Sequence, residues 1–227
     1  EVAADADGRL IGLRGKLFHE HGAYTPYGIN LPYNSATNLI GPYELPNYAL
    51  DVTVVSTNKT PVTPVRGAGR PQGRFVMERM LDRIARELDL DRVEVRRRNL
   101  IVPDQMPYRT PIRTRDGSTM TYDSGDYPGC MAEAMSRADY DGFADRQEQA
   151  RCRGRYLGIG LANYVEGTGR GPFESAKIRI ASSGRVFVYT GATSQGQGSA
   201  TTLAQAPPAG RRGFHPHPRL SHIHISL

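Results

Sequence analysis

The stretch RGAGRPQGRFVMERMLDRIAREL, residues 66–88, runs from a glycine loop straight into a helical pattern. Its first eight positions hold three glycines, two arginines and a proline, so bare backbone and fixed positive charge lie side by side. Pro71 stands where a helix begins without losing a bond, because the first helical N–H groups have no partner inside the helix. Beyond it Val76, Met80, Ile84 and Leu88 recur every four residues, with Met77 and Leu81 beside them. That spacing predicts an amphipathic helix of about 18 residues. Free amides and arginines at a helix mouth suit an anion.

Upstream, YALDVTVVSTN (48–58) alternates and is β-branched, which predicts a strand. Residues 1–20 read as strand-turn-strand around GRLIGLRGKLF, and the Tyr-, Pro- and Asn-rich segment up to Asn47 reads as a loop. Downstream, Asp91 and Glu94 have capping-box spacing for a short second helix that Asn99 could end. Residues 101–125 read as loop and turn, and helical patterns resume in PGCMAEAMSRA (128–138) and FADRQEQARC (143–152). Three strands are expected next: YLGIGLANYVE (156–166), SAKIRIAS (175–182) and RVFVYTG (185–191), the last two joined by a hairpin turn at SSG. ATSQGQGSATTLAQ (192–205) is then a second glycine loop opening a helix. The chain thus builds strand, glycine loop and helix start twice, as a ligand held from two sides would require. A third glycine-rich turn, VEGTGRGP (165–172), is either a hairpin connection or a pocket-lining loop presenting the Thr168 hydroxyl and the Glu166 carboxylate. The expected fold class is α+β, with mixed β-sheets and packed amphipathic helices.

Composition removes several function classes. With 38% hydrophobic and 23% charged residues among 227, the chain has ample core for one large or two smaller domains. No apolar run approaches the roughly 20 residues of a membrane span, and EVAADADGRL lacks the order of a secretory signal. A cytoplasmic setting is expected. The net charge of +6 comes mostly from arginine, but there is no Trp to interleave with it, so nucleic acid is not the expected partner. Cys130 and Cys152 make neither a disulfide framework nor a zinc site. A dinucleotide fingerprint fails because Gly73 falls one position late after Gly67 and Gly69, and Walker and GxSxG motifs are absent. The last segment, APPAGRRGFHPHPRLSHIHISL, has four prolines and four of the six histidines, and is read as an aberrant or disordered tail rather than a metal site.

Residues 41–101 resemble the molybdopterin-binding large subunit of the molybdenum hydroxylases, the family of xanthine dehydrogenase, aldehyde oxidase and carbon monoxide dehydrogenase. The resemblance rests on GPY with Pro46-Asn47, on Thr57-Asn58 with Pro61, on the Arg66-Gly67-Ala68-Gly69 loop, and on the Arg96-Arg97-Arg98-Asn99 close. Val65 replaces the family's aromatic, and the second loop is similar to the family's Gly-Gln-Gly segment. The likeness runs over about residues 1–205 and implies part of a first molybdopterin-binding subdomain (1–122), the start of a second (123–205) and an extraneous tail (206–227). It implies a molybdenum–molybdopterin cofactor, with or without a cytosine dinucleotide extension. Arg66, Gly67 and Gly69 would meet it from the first loop, and Gly196, Gln197 and Gly198 from the second. Ala68 and Thr168 would face the substrate.

The implied reaction hydroxylates a carbon of an aldehyde or N-heterocycle with oxygen derived from water. Electrons would then pass through 2Fe–2S clusters on a small subunit to FAD on a medium subunit. Carbon monoxide oxidation is not expected, because that branch carries Cys where this chain has Gly67. Purine specialists carry an aromatic where it has Ala68. The family's catalytic glutamate lies beyond the second loop and has no counterpart after Gln205, so no catalytic residue and no metal ligand is assigned here. The chain resembles the middle of a longer subunit and is expected to be inactive alone. The competing readings are a stand-alone phosphate- or cofactor-binding module and a non-functional gene fragment.

Overall fold

A computed structural model describes residues 1–167, 175–205 and 223–226. The chain forms two compact units, Glu1–Glu166 and Gly167–Leu227.

In the first unit, β1 (Val2–Ala4) runs antiparallel to β2 (Leu10–Gly22), which pairs in parallel with β3 (Tyr48–Ser56). Parallel neighbours need a long crossover, and here it contains the helix α1 (Asn30–Thr37). Composition predicts a loop over this segment, and the structure places a helix within it. Its buried positions are Pro32, Asn34, Ser35 and Thr37, so it carries no apolar stripe to announce a helix.

The helix α2 (Arg70–Glu87) opens at Pro71 as expected. It buries Gly73, Met77, Leu81, Ile84 and Ala85, while Val76 and Leu88 stay 39% and 37% exposed. A strict four-residue track turns about 40° per step around a 3.6-residue helix, so Val76 and Leu88 flank the buried stripe. The short α3 (Arg92–Asn99) starts at Asp91, whose Oδ1 accepts from the N–H groups of Val93 and Glu94. Glu94 turns instead to Arg97 and Arg98, at 2.6 and 2.8 Å. Asn99 does end the helix.

Residues 101–125 contain more than turns: β4 (Tyr108–Arg113) and β5 (Thr119–Tyr122) form an antiparallel hairpin. The helices α4 (Tyr127–Arg137) and α5 (Phe143–Cys152) complete the unit. Leu10 and Leu13 of the sheet, Met77 and Leu81 of α2, and Val95 of α3 share its core with Tyr43. The strand expected at 156–166 does not form. That stretch runs without backbone ladder bonds, and Arg96 and Glu78 side chains take its Leu161 carbonyl and Asn163 N–H.

In the second unit, β6 (Ala176–Ile180) and β7 (Val186–Thr190) make the expected hairpin. The helix α6 (Ser199–Gln205) follows the second glycine loop, and β8 (Ile223–Ser226) pairs in parallel with β7. A strand therefore stands in the segment read as a tail, and residues 206–222 lie outside the described ones. Among the described residues, no helix is long and apolar enough to cross a membrane.

Candidate functional site

The first glycine loop owes its shape to three successive residues with positive φ: Gly67 at 102°, Ala68 at 40° and Gly69 at 92°. Within it Ala68 N–H donates to the Val65 carbonyl at 2.8 Å and Arg70 N–H to that of Gly67 at 3.0 Å. The crossover helix holds it from below. Asn34 Nδ2 donates to the Ala68 carbonyl at 2.8 Å, and Ser35 Oγ to the Gly69 carbonyl at 2.9 Å. Gly69 lies so close that a Cβ there would collide with the Leu31 carbonyl oxygen. Because a trans peptide sets C=O and N–H on opposite sides, tying the Ala68 carbonyl to α1 turns the Gly69 N–H the other way. Gly69 is buried, Gly67 and Ala68 are half-buried, and Arg66 beside them is exposed.

Arg70 and Arg74 follow on the first turns of α2. Arg70 pairs with Glu166 at 3.0 Å, its side chain only 15% exposed, and its Nε is buried without a hydrogen bond. Arg74 lies against Gly41, with none of its three guanidinium nitrogens hydrogen-bonded. Burial holds its pKa below the usual arginine range, countered by Tyr122 and Glu78.

Glu78, two turns further on, is buried and saturated. It accepts from the Tyr43 hydroxyl at 2.7 Å, from Arg96 Nε at 2.8 Å and from the Asn163 N–H at 3.1 Å. Burial and the Glu78 charge push the Tyr43 phenol far above its ordinary range, so it stays a proton donor. Burial opposes the Arg96 charge, yet Glu78 and its neighbours outweigh it and hold the guanidinium protonated. Tyr43, Arg96 and Asn99, conspicuous in the sequence, therefore hold the fold. Asn99 accepts from Leu10 N–H at 2.8 Å and donates to the Gly8 carbonyl at 2.8 Å, fastening β2 and its turn to α3.

The second loop is shaped by Gly196 at φ 98° and Gly198 at φ 79°, where added Cβ atoms would meet nothing within 4 Å. Glycine is required there by backbone conformation rather than by space. Gln197 folds its amide inward: Oε1 accepts from Gln195 N–H at 2.6 Å, while Nε2 donates to the Thr193 carbonyl at 2.9 Å and to Ser199 Oγ at 2.8 Å.

Of the residues singled out in the sequence, Arg66, Gly67, Ala68 and Gly69 share one loop of the first unit, and Gly196, Gln197 and Gly198 share one loop of the second. Thr168 lies outside the described residues. Among the described residues no group of three or more His, Cys, Asp or Glu side chains converges on a point. The sequence assigns no role to Asn34, Ser35 or Asn163 and marks Arg70 only as positive charge at the helix mouth. Only Arg70, next to the loop, carried a signal, because the others act through contacts distant in the chain.

Residues 1–100 and 133–207 each match a molybdopterin cofactor-binding domain. The chain is 36% identical over 206 residues to the 6-hydroxypseudooxynicotine dehydrogenase complex subunit gamma of Paenarthrobacter nicotinovorans, with 90% of this chain and 26% of that protein covered. It is 33% identical over 225 residues to the carbon monoxide dehydrogenase large chain of Hydrogenophaga pseudoflava, covering 90% of this chain and 27% of that one. Quinoline 2-oxidoreductase from Pseudomonas putida 86 superposes with a TM-score of 0.71 at 34% identity, over 90% of this chain and 27% of its own. The chain therefore spans about a quarter of the length of these relatives. With domain matches over both halves and a shared α+β fold, the chain belongs to the molybdopterin-binding large-subunit family of the molybdenum hydroxylases.

Proposed function

We propose that this chain is part of a molybdopterin-dependent oxidoreductase that hydroxylates a carbon of an N-heterocycle or aldehyde with water-derived oxygen. The observation that carries this reading is the 66–69 loop. Of its three consecutive positive-φ residues, Ala68 and Gly69 are tied by their carbonyls to α1, which turns the Gly69 N–H away from that helix beside the exposed Arg66. Such a surface suits a phosphate-bearing, polar-edged group, and the cramped Gly69 keeps the loop low.

When bound, the cofactor supplies the molybdenum-centred oxidation. The chain's own residues bind and orient. Gly67 and Gly69 let the backbone approach, and Arg66 adds charge. Gly196 and Gly198 offer bare backbone on the second loop, where Gln197 sets the loop's shape through its three internal hydrogen bonds. Ala68 faces the substrate, and its small side chain leaves room for a ring. A heterocyclic substrate is favoured by the names of two relatives, quinoline 2-oxidoreductase and nicotine 6-hydroxylase. Gly67, where sulfur would be needed, speaks against carbon monoxide. The complete enzyme would be cytoplasmic, take the cofactor with or without a cytosine dinucleotide extension, and pass electrons to an iron–sulfur small subunit and an FAD-binding medium subunit.

The test is to substitute Gly69→Val and Gly196→Val separately in the complete subunit and measure molybdenum content and released pterin. Both substitutions are expected to lower cofactor content. Full cofactor content with undiminished hydroxylation in both variants would overturn the two-loop reading.

A further inference from the structure

The stretch 156–167 presents an unusual accounting of polar groups. Ile159, Leu161, Asn163 and Val165 of it are half-buried, and half-buried backbone normally satisfies its N–H and C=O groups in secondary structure. Among the described residues, however, this segment makes no backbone–backbone hydrogen bond. Side chains serve it instead. Gln147 of α5 donates to the Leu157 carbonyl at 2.9 Å, and Arg96 of α3 to the Leu161 carbonyl at 3.2 Å. Glu78 of α2 accepts from the Asn163 N–H at 3.1 Å, and Asn163 Nδ2 donates to the Tyr43 hydroxyl at 3.2 Å. The last attachment is the 3.0 Å ion pair between Glu166 and Arg70.

These attachments have a direction. From Glu78 back to Arg70 is two turns of helix, about 12 Å at 1.5 Å per residue. From Asn163 to Glu166 an extended chain covers about 10 Å. The segment therefore runs along α2 toward its N-terminus and reaches it at Arg70, the residue that follows Gly69.

We propose that Glu166 and Arg70 are a positioning pair, which fixes the end of the 161–166 strap at the mouth of α2 beside the 66–69 loop. The carboxylate of Glu166 is engaged by a guanidinium, so its part is to hold the strap rather than to transfer a proton. The pairing works in both directions. Arg70 is mostly buried and its Nε already lacks a partner, so loss of the carboxylate leaves a cation stranded at the first turn of α2. Relieving that cost moves Arg70 outward and loosens the backbone of Gly69, its neighbour. The pair thus couples the strap to the glycine loop through one contact. Its significance for cofactor geometry rests on the function proposed above, while the coupling itself does not.

Hydrogen exchange of the 227-residue chain, followed by mass spectrometry, tests the pair. Glu166→Gln is expected to speed exchange at amides 164–167 and 67–70 by about tenfold, the effect of a partly buried ion pair, with β2 and β3 unchanged. The charge swap Arg70→Glu/Glu166→Arg is expected to restore slow exchange in both segments, which loss of packing alone would not permit. Unchanged exchange in Glu166→Gln overturns the proposal, and so does failure of the swap to recover either segment. Should Glu166→Gln open β2 and β3 as well, Glu166→Asp decides: faster exchange confined to the two segments supports the pair, and no change there overturns it. Cofactor content of the complete subunit carrying Glu166→Gln is a separate readout. If exchange responds as expected but cofactor is retained in every loop variant, the pair stands and the functional reading falls.

Discussion

The backbone N–H of Asn163 donates to the Glu78 carboxylate across 85 positions of sequence, at 3.1 Å, in a site where Arg96 and Tyr43 are fully buried. Glu78 thereby joins α2, α3, the GPY segment and the strap. Truncating Glu78 to Ala leaves the Arg96 cation with Asp82 as its remaining carboxylate partner. A loss of about 3–5 kcal/mol in unfolding free energy is expected for Glu78→Ala. Tyr43→Phe removes the hydroxyl's bonds to Glu78 and from Asn163 Nδ2 but leaves Glu78 two partners, and is expected to cost about 1–2 kcal/mol. Urea denaturation of the two variants side by side checks the order. Equal losses would contradict the central role given to Glu78.

The two glycines of the first loop should differ. At Gly67 an added Cβ meets Pro71 at an ordinary 3.4 Å, so Gly67→Ala bears chiefly the cost of positive φ, about 1–2 kcal/mol. At Gly69 the same atom strikes the Leu31 carbonyl of α1, a backbone group unable to rotate away. Gly69→Ala is therefore expected to lose clearly more stability than Gly67→Ala and to loosen α1. Thermal melts give the order, and amide exchange over 30–37 shows the loosening.

Asn99 separates a hydrogen-bonding role from a shape role. Its amide accepts from Leu10 N–H and donates to the Gly8 and Val95 carbonyls, at 2.8, 2.8 and 2.7 Å. Asn99→Asp keeps the shape but sets a carboxylate against two carbonyl oxygens. It is expected to destabilise at least as much as Asn99→Ala, by about 2–4 kcal/mol, since buried carbonyls lose their donors in both. Chemical denaturation of the pair checks this.

Acid should weaken the end of β2. Burial, then the adjacent His21, hold the His19 imidazole below its ordinary value of 6.5, with Glu20 pulling the other way. His19 and His21 meet at 3.2 Å, and Glu20 is itself engaged by Lys59 and Thr57. The folded chain thus takes up the His19 proton less readily than the unfolded chain. The stability from a neutral His19 is fully present above pH 6.5 and declines as pH falls below 6.5 through the folded value. Denaturation midpoints at pH 8 and pH 5 are expected to converge in His19→Asn relative to the parent chain. An unchanged difference would assign the acid sensitivity elsewhere.

Local chemistry was enough to read the helices α2 to α5, the strand β3, the β6–β7 hairpin and both glycine loops. Each has its signal within a few residues of itself: Pro71 at a helix start, the Asp91 cap, β-branched alternation in 48–58, SSG between two strands. The family motifs were legible for the same reason, as strings of neighbours. Tertiary structure decided the rest. The helix α1 has no apolar stripe and exists as the crossover between parallel strands, with Asn34 and Ser35 turned to the glycine loop. Alternation in 156–166 looked like a strand, but a strand needs a neighbour with free ladder groups, and here side chains from α2, α3 and α5 took the backbone instead. The partner of Glu166 is Arg70, which no spacing could show to lie 3.0 Å away. Periodicity and capping act within one or two turns of chain, whereas the partner of a buried polar group is chosen by packing between elements far apart in sequence.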